Sequence, residues 1–160
     1  MPSKQLIKLH KLLKQQKLTI SFAESATAGR MAAELSLIPE SGDVLKGGIV
    51  CYDADVKEEL LGVPKVLLEK FTPESVEVTR ELAERLGTII KADIQVAITG
   101  LPMPGGSETE IKPVGTMFID ALIKDRHISS REIFKGTAEE IVLQTIDHAA
   151  ELLFKELNNS

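Results

Sequence analysis

The feature that most restricts what this chain can become is an alternation. Short apolar runs of strand length, Leu18 to Phe22, Gly47 to Tyr52 and Ile94 to Ile98, are separated by segments with a helical period. Residues 3–16 predict a first helix, and Thr27 to Leu37, rich in Ala and Met, predicts a second that stops before Pro39. Ala54 to Leu61 predicts a short third helix, with Asp53 as its cap and Gly62 as its end, and Val66 to Phe71 a fourth. A fifth enters at Thr72-Pro73-Glu74 and is striped by Val78, Leu82, Leu86, Ile89 and Ile90. Residues 99–112 form a loop. Val114 to Leu122 and Ile128 to Phe134 then read as a hairpin, and Val142, Ile146, Ala149, Ala150 and Leu153 stripe a last helix. Alternation followed by a hairpin predicts an α/β fold, a mixed sheet covered by helices on both faces. No repeat, linker or low-complexity tract interrupts the 160 residues, so one domain over 1–160 is expected.

Composition narrows the function. Apolar residues are 43% and charged residues 27%, which is ordinary for a globular chain and excludes a disordered or collagenous one. No apolar run is long enough to cross a bilayer. The one cysteine forms no internal disulfide, which fits a reducing compartment. Net charge is −5, but residues 1–17 hold five lysines and no acid, leaving 14 basic and 24 acidic side chains beyond them. That acidic body repels phosphate backbones, and five Phe, one Tyr and no Trp make a poor stacking platform. Lys4, Lys8, Lys11 and Lys14 share one face of the first helix and Leu6, Leu9 and Leu13 another. The pattern fits a helix docked on an acidic body better than a membrane or targeting segment. A cytoplasmic protein with no nucleic-acid and no membrane partner is expected.

Three polar clusters fall just beyond the carboxyl ends of the three strands, where open α/β sheets bind ligands. The first is Ala23-Glu24-Ser25-Ala26-Thr27-Ala28-Gly29. Ser25 sits where a strand turns into a helix, beside helix N–H groups able to hold an oxyanion. Ser25 or Thr27 fits equally as a simple helix cap. Glu24 next to it is a poor base, because adjacent side chains on a strand point apart. The second cluster begins at Tyr52 and includes Lys57, in the first turn of its helix, where a cation is mildly unfavourable. Lys57 is either a solvated surface residue or a base whose pKa is lowered by burial. Tyr52 is placed to hydrogen-bond it or relay a proton. The third is Thr99-Gly100 and the loop to Ser107, whose Gly105, Gly106 and Ser107 N–H groups read as an anion nest or as a plain turn. Cys51 reads as a core residue. His10, His127 and His148 stand apart in sequence and beside no acidic or Cys motif, so neither a metal site nor a cofactor is expected.

These residues resemble a known family. Ala23-Glu24-Ser25-x-Thr27-x-Gly29, Tyr52-x4-Lys57-x2-Leu60-Leu61-Gly62-Val63, and Thr99-Gly100-x3-Pro104-Gly105-Gly106 followed by Lys112-Pro113-Val114-Gly115-Thr116 look like the CinA carboxy-terminal domain family, from about residue 5 to 155. The resemblance implies a three-layer α/β/α sandwich, often a homo-oligomer such as a dimer. It also implies deamidation of a small-molecule nucleotide, nicotinamide mononucleotide, to nicotinate mononucleotide and ammonia, without a metal. It places the nucleophile on Ser25, the motif tyrosine and lysine on Tyr52 and Lys57, and the motif Thr-Gly on Thr99 and Gly100. The expected site is therefore Ser25, Tyr52, Lys57 and Thr99 for catalysis, with the Thr99 hydroxyl and N–H groups near Ser25 holding the oxyanion. Thr27, Gly29, Gly100, Gly105 and Gly106 are expected to bind substrate. The chain also resembles the form that stands without the family's amino-terminal domain.

The departures are specific. Ala26 stands where the family usually has Cys, Ala28 where it has Gly, and Pro102-Met103 where it has Ala-Gly. At the start of the last helix the family's Gly-Asp-Arg-x-x-Ile/Val-Arg becomes Gly136-Thr137-Ala138-Glu139-Glu140-Ile141-Val142, without either arginine. Lys46, Lys112, Arg131 and Lys135 are the candidate replacements for a phosphate contact. A nucleotide-binding module without turnover, and an amidase for a different small amide, are the alternative readings.

Overall fold

The computed structural model describes residues 1–160. Its centre is a five-stranded sheet in the order β2-β1-β3-β4-β5. The strands are β1 (Ile20–Glu24), β2 (Leu45–Val50), β3 (Ile94–Gly100), β4 (Thr116–Ile123) and β5 (Arg126–Ile133). The first three run parallel, and the β4–β5 hairpin adds two antiparallel strands. The mixed sheet and its three layers are those expected. β1 and β3 are buried throughout, as central strands covered on both faces must be, whereas edge strand β2 alternates.

Six α-helices cover the sheet: α1 (Lys4–Gln16), α2 (Arg30–Ser36), α3 (Ala54–Glu59), α4 (Lys65–Phe71), α5 (Val76–Ile89) and α6 (Ala138–Asn158). Helices α1, α2 and α6 pack on one face around Phe22, Ile20, Val96 and Ile98. The other face is thinner. Ala23, Cys51 and Ala97 are small enough to let α5 lie close, through Val78, Leu82, Ala83 and Leu86. The basic helix docks by its leucines as expected, with Leu6, Leu9, Leu12 and Leu13 buried and Lys14 reaching Glu40 (2.5 Å) and Asp43 (3.2 Å). No helix is long and apolar enough to cross a membrane.

His127 is isolated in sequence but not in space. Its Nδ1 lies 2.6 Å from Asp120 on β4, within the hairpin, and its Nε2 2.9 Å from Glu84, which ties the hairpin to α5.

The chain leaves β1 toward β2 on one side, then crosses back over β1 to reach β3 on the other. That reversal opens a crevice beyond the carboxyl ends of β1 and β3, the usual ligand position in such sheets.

Helix α2 begins three residues later than the sequence suggests. Ala28 (φ 48°) and Gly29 (φ 90°) are both left-handed, which a helix cannot include. Gly29 meets this at no cost, while Ala28 carries strain of about 1 kcal/mol. The helix start is held by Glu24 instead of a hydroxyl cap. Its buried carboxylate accepts from Thr27 Oγ1 (2.6 Å), Met31 N (3.0 Å) and Ala32 N (2.8 Å). Glu24→Ala orphans three donors in a site with no room for bulk water. We expect it to cost about 3 kcal/mol or more in urea unfolding. A loss under about 1 kcal/mol would show that another group holds this turn.

Candidate active site

Strand alternation separates two neighbours. Glu24 points toward α2, and Ser25 points to the opposite face, toward α3. The β1 ladder ends on Ser25, whose N–H donates to Ile98 O at 2.9 Å. The next two N–H groups, of Ala26 and Thr27, have no partner in the protein. Ala26 lines the crevice on both sides of Ser25. The N–H groups free to hold an oxyanion therefore lie in the turn itself. The first N–H groups of α2 do not serve, because Glu24 already takes those of Met31 and Ala32.

Neither Ser25 nor Thr27 is a helix cap. Thr27 donates to Glu24, and Ser25 Oγ lies 2.9 Å from Lys57 Nζ. Lys57 is fully buried, and its Nζ also donates to the Tyr52 carbonyl oxygen at 3.2 Å. No carboxylate is within salt-bridge distance of Lys57. Burial holds its pKa below the ordinary lysine value, against a pull upward from Cys51 and, further off, from Glu74 and Asp53. Burial also pushes the Cys51 thiol up to about 11, so at neutral pH it carries no charge to offset the amine. A neutral amine beside a hydroxyl is a base beside a nucleophile.

Asp53 caps α3 as expected, its carboxylate accepting from Asp55 N at 2.8 Å. The helix, however, ends at Glu59 and has only six residues. Lys57 thus also stands in its last turn, and the helix-dipole argument for singling it out falls away. What distinguishes Lys57 is burial.

Tyr52 contributes differently from expectation. Its carbonyl oxygen orients Lys57, while its exposed ring lines the crevice and its phenol makes no hydrogen bond. The structure does not bring the Thr99 hydroxyl to the crevice. Thr79 donates to Ser75 O (2.6 Å), so Thr99 is the donor in the 2.8 Å bond between Thr99 and Thr79. Its one proton is spent inside the protein, and no lone oxyanion donor remains there. Gly100 ends β3 and lines the crevice, where a Cβ would fall 2.8 Å from Thr116 O.

The crevice has two joined lobes that share Ala26, Tyr52, Pro102 and Met103. The inner lobe, about 230 Å³, holds Ser25, Glu74, Gly105 and Gly106. The outer lobe, about 540 Å³, holds Thr27, Gly29, Arg30, Ala138, Glu139 and Val142. The expected anion nest exists and is filled by the chain itself. Glu108 accepts from Gly105 N and Gly106 N, both at 2.8 Å, which holds its pKa low. A clasp missed by sequence reasoning fixes this loop: Lys112 Nζ donates to Thr72 Oγ1 (2.6 Å), Glu74 O (2.9 Å) and Ser107 Oγ (2.8 Å). Ser107 in turn donates to the Glu74 carboxylate at 2.5 Å.

Comparison with known proteins agrees with this architecture. The model of the CinA C-terminal domain matches residues 4–157. A CinA-like protein of Thermotoga neapolitana is 38% identical over 147 residues, which is 92% of this chain and 36% of that protein. A CinA-like protein of Petrotoga mobilis is 38% identical over 136 residues, 84% of this chain and 33% of its own length. The chain thus spans about a third of the curated relatives it matches. Among solved structures, a CinA superfamily protein from Klebsiella pneumoniae superposes with a TM-score of 0.93 at 25% identity, covering 98% of both chains. A competence/damage inducible protein from Agrobacterium tumefaciens superposes with a TM-score of 0.89 at 28% identity, covering 99% of this chain and 98% of its own.

The pairing of Ser25 with a depressed lysine is testable without knowing a substrate. Sulfonylation of Ser25 by a sulfonyl fluoride, with loss of fluoride, should accelerate as pH rises and Lys57 loses its proton, and level off below the ordinary lysine pKa of 10.5. Lys57→Met should slow it by about 10²–10⁴-fold. A rate still climbing past pH 10.5, or unchanged in Lys57→Met, would contradict the pairing.

Proposed function

Because the chain belongs to the CinA C-terminal domain family, we propose that it is a serine amidohydrolase that converts a small carboxamide to the carboxylate and ammonia. The observation that carries this reading is the 2.9 Å approach of Lys57 Nζ to Ser25 Oγ in a buried setting without a counter-charge.

The chemistry follows the serine–base pattern with lysine in the base's place. Neutral Lys57 takes the Ser25 proton as Oγ attacks the amide carbon. The oxyanion lies against the unpaired Ala26 and Thr27 N–H groups. Lys57 then hands its proton to the departing nitrogen, which leaves as ammonia, and an acyl ester remains on Ser25. Water attacks the ester, Lys57 again takes the proton, and the acid is released with Ser25 restored. Nucleophile and base are both side chains, so no step requires a metal. Tyr52 aims the amine through its carbonyl oxygen, and its ring offers a planar amide a surface at the junction of the lobes.

The family resemblance implies nicotinamide mononucleotide as the amide, and that compound is the reference substrate. The same reading carries a cytoplasmic homo-oligomer, in keeping with a single, buried free cysteine. Ser25→Ala removes one small oxygen and should leave the melting temperature within a few degrees. It should abolish ammonia release from a panel of pyridine carboxamides that the unaltered protein hydrolyses in the presence of chelator. Activity retained in Ser25→Ala would overturn the mechanism.

A further inference from the structure

The outer lobe decides what the amide can carry. Resting on the amidohydrolase reading, we propose that this cleft takes a small carboxamide with an unphosphorylated tail, neutral or cationic, and discriminates against the phosphorylated one.

Few groups around the cleft are able to meet a phosphate. Arg30 is the one cation lining either lobe. Its Nε donates to Glu34 at 2.8 Å, and its Nη1 lies 3.5 Å from Glu139. Glu34 is buried, and its second oxygen, Oε2, has no hydrogen-bond partner. Drawing Arg30 off to a phosphate would leave that buried carboxylate with no partner at all, a strongly disfavoured state. Nε is therefore held by Glu34 while Nη1 faces Glu139, so the Arg30 charge is already shared between two carboxylates.

The four replacement cations expected from the sequence are elsewhere. Lys46 acts on Asp93, before the start of β3, at the opposite end of the sheet. Lys112 spends its amine on Thr72, Glu74 and Ser107. Arg131 donates to Ile111 O. Lys135 borders a separate hollow with Glu140 and Asp147. The nest that would suit an anion is occupied by Glu108.

What does line the outer lobe is apolar or acidic. Ala33, Ala138, Val142 and Met103 form its walls, and Glu139 adds a carboxylate. Ala138 and Val142 are the two positions where the resemblance places arginine. Glu140 plays no part here, because it closes the capping box of α6 with Thr137. With the Arg30 charge shared between Glu34 and Glu139, the lobe offers a phosphate no free cation, and Glu139 adds an acidic wall. A dianionic tail meets repulsion there, whereas a hydroxylated or cationic one finds an acceptor.

The test is ammonia release by the full chain from nicotinamide riboside and nicotinamide mononucleotide in parallel, at low salt. The expected result is a kcat/KM at least about tenfold higher for the riboside, a difference of about 1.4 kcal/mol. Adding salt should narrow that gap, since screening weakens charge repulsion. Glu139→Gln should narrow it severalfold. Equal use of the two amides, or preference for the mononucleotide, would overturn the proposal. If neither amide is hydrolysed, the amidohydrolase reading fails separately. Calorimetric binding of both compounds to Ser25→Ala then decides the specificity: tighter riboside binding supports it, while equal binding, no binding or tighter mononucleotide binding overturns it.

Discussion

The interaction on which the rest depends is the burial of one amine. Lys57 is among the largest fully buried side chains of the protein and meets a hydroxyl and a carbonyl oxygen where an ion pair would ordinarily stand. Water is excluded from it by the thin face of the sheet, where Cys51, Leu61, Val63 and Leu68 pack. A cation there is costly, so the folded state favours the neutral amine. This burden on stability is largest at acid pH, where Lys57 is protonated in folded and unfolded chains alike. It shrinks as pH rises from the lowered folded pKa toward the unfolded value of about 10.5. Under the proposed function the burden has a use, since only the neutral amine can accept the Ser25 proton.

The position of Ser25 depends in turn on its neighbour. Glu24 and Ser25 leave the end of β1 on opposite faces. One ties down the start of α2, and the other meets α3. The turn between β1 and α2 includes Ala28 in a left-handed conformation, so strain, a buried carboxylate and the proposed nucleophile occupy five consecutive residues. Strain held in place by surrounding hydrogen bonds is typical of a site whose geometry is fixed before substrate arrives. The Lys112 clasp does the same for the third loop, which it ties to the entry of α5.

Much of this was legible in the sequence, for physical reasons. The strand and helix periods place β1, β3 and α5 within a residue or two, because burial on both faces or on one stripe leaves a clear pattern. Two polar clusters at the ends of two parallel strands mark Ser25 and Lys57 as candidates, beside cap and surface readings, and the family resemblance supplies their joint roles. What was not legible depends on side-chain direction and on partners supplied at long range. Helix α2 starts later than its sequence pattern suggests, because nothing in Ala28 announces a left-handed residue. Arg30 therefore opens the helix and borders the outer lobe, a position the pattern does not reveal. Thr99 carries the residue type of an oxyanion donor, but its partner Thr79 lies 20 residues away on another element. The Gly105–Gly106 nest was visible, while its occupant Glu108 was not, since a loop's closure on itself leaves no periodic trace. A signal for Arg30 did exist in its i,i+4 spacing from Glu34.

Everything turns on whether burial holds the Lys57 amine, 2.9 Å from Ser25 Oγ, below the ordinary lysine pKa of 10.5. The most direct measurement is an NMR titration of the lysine Nζ resonances in protein labelled with ¹⁵N-lysine, with Lys57→Met used for assignment. The expected result is one amine, absent in Lys57→Met, that deprotonates below the ordinary lysine value of 10.5. A Lys57 signal that titrates at or above 10.5 would contradict it.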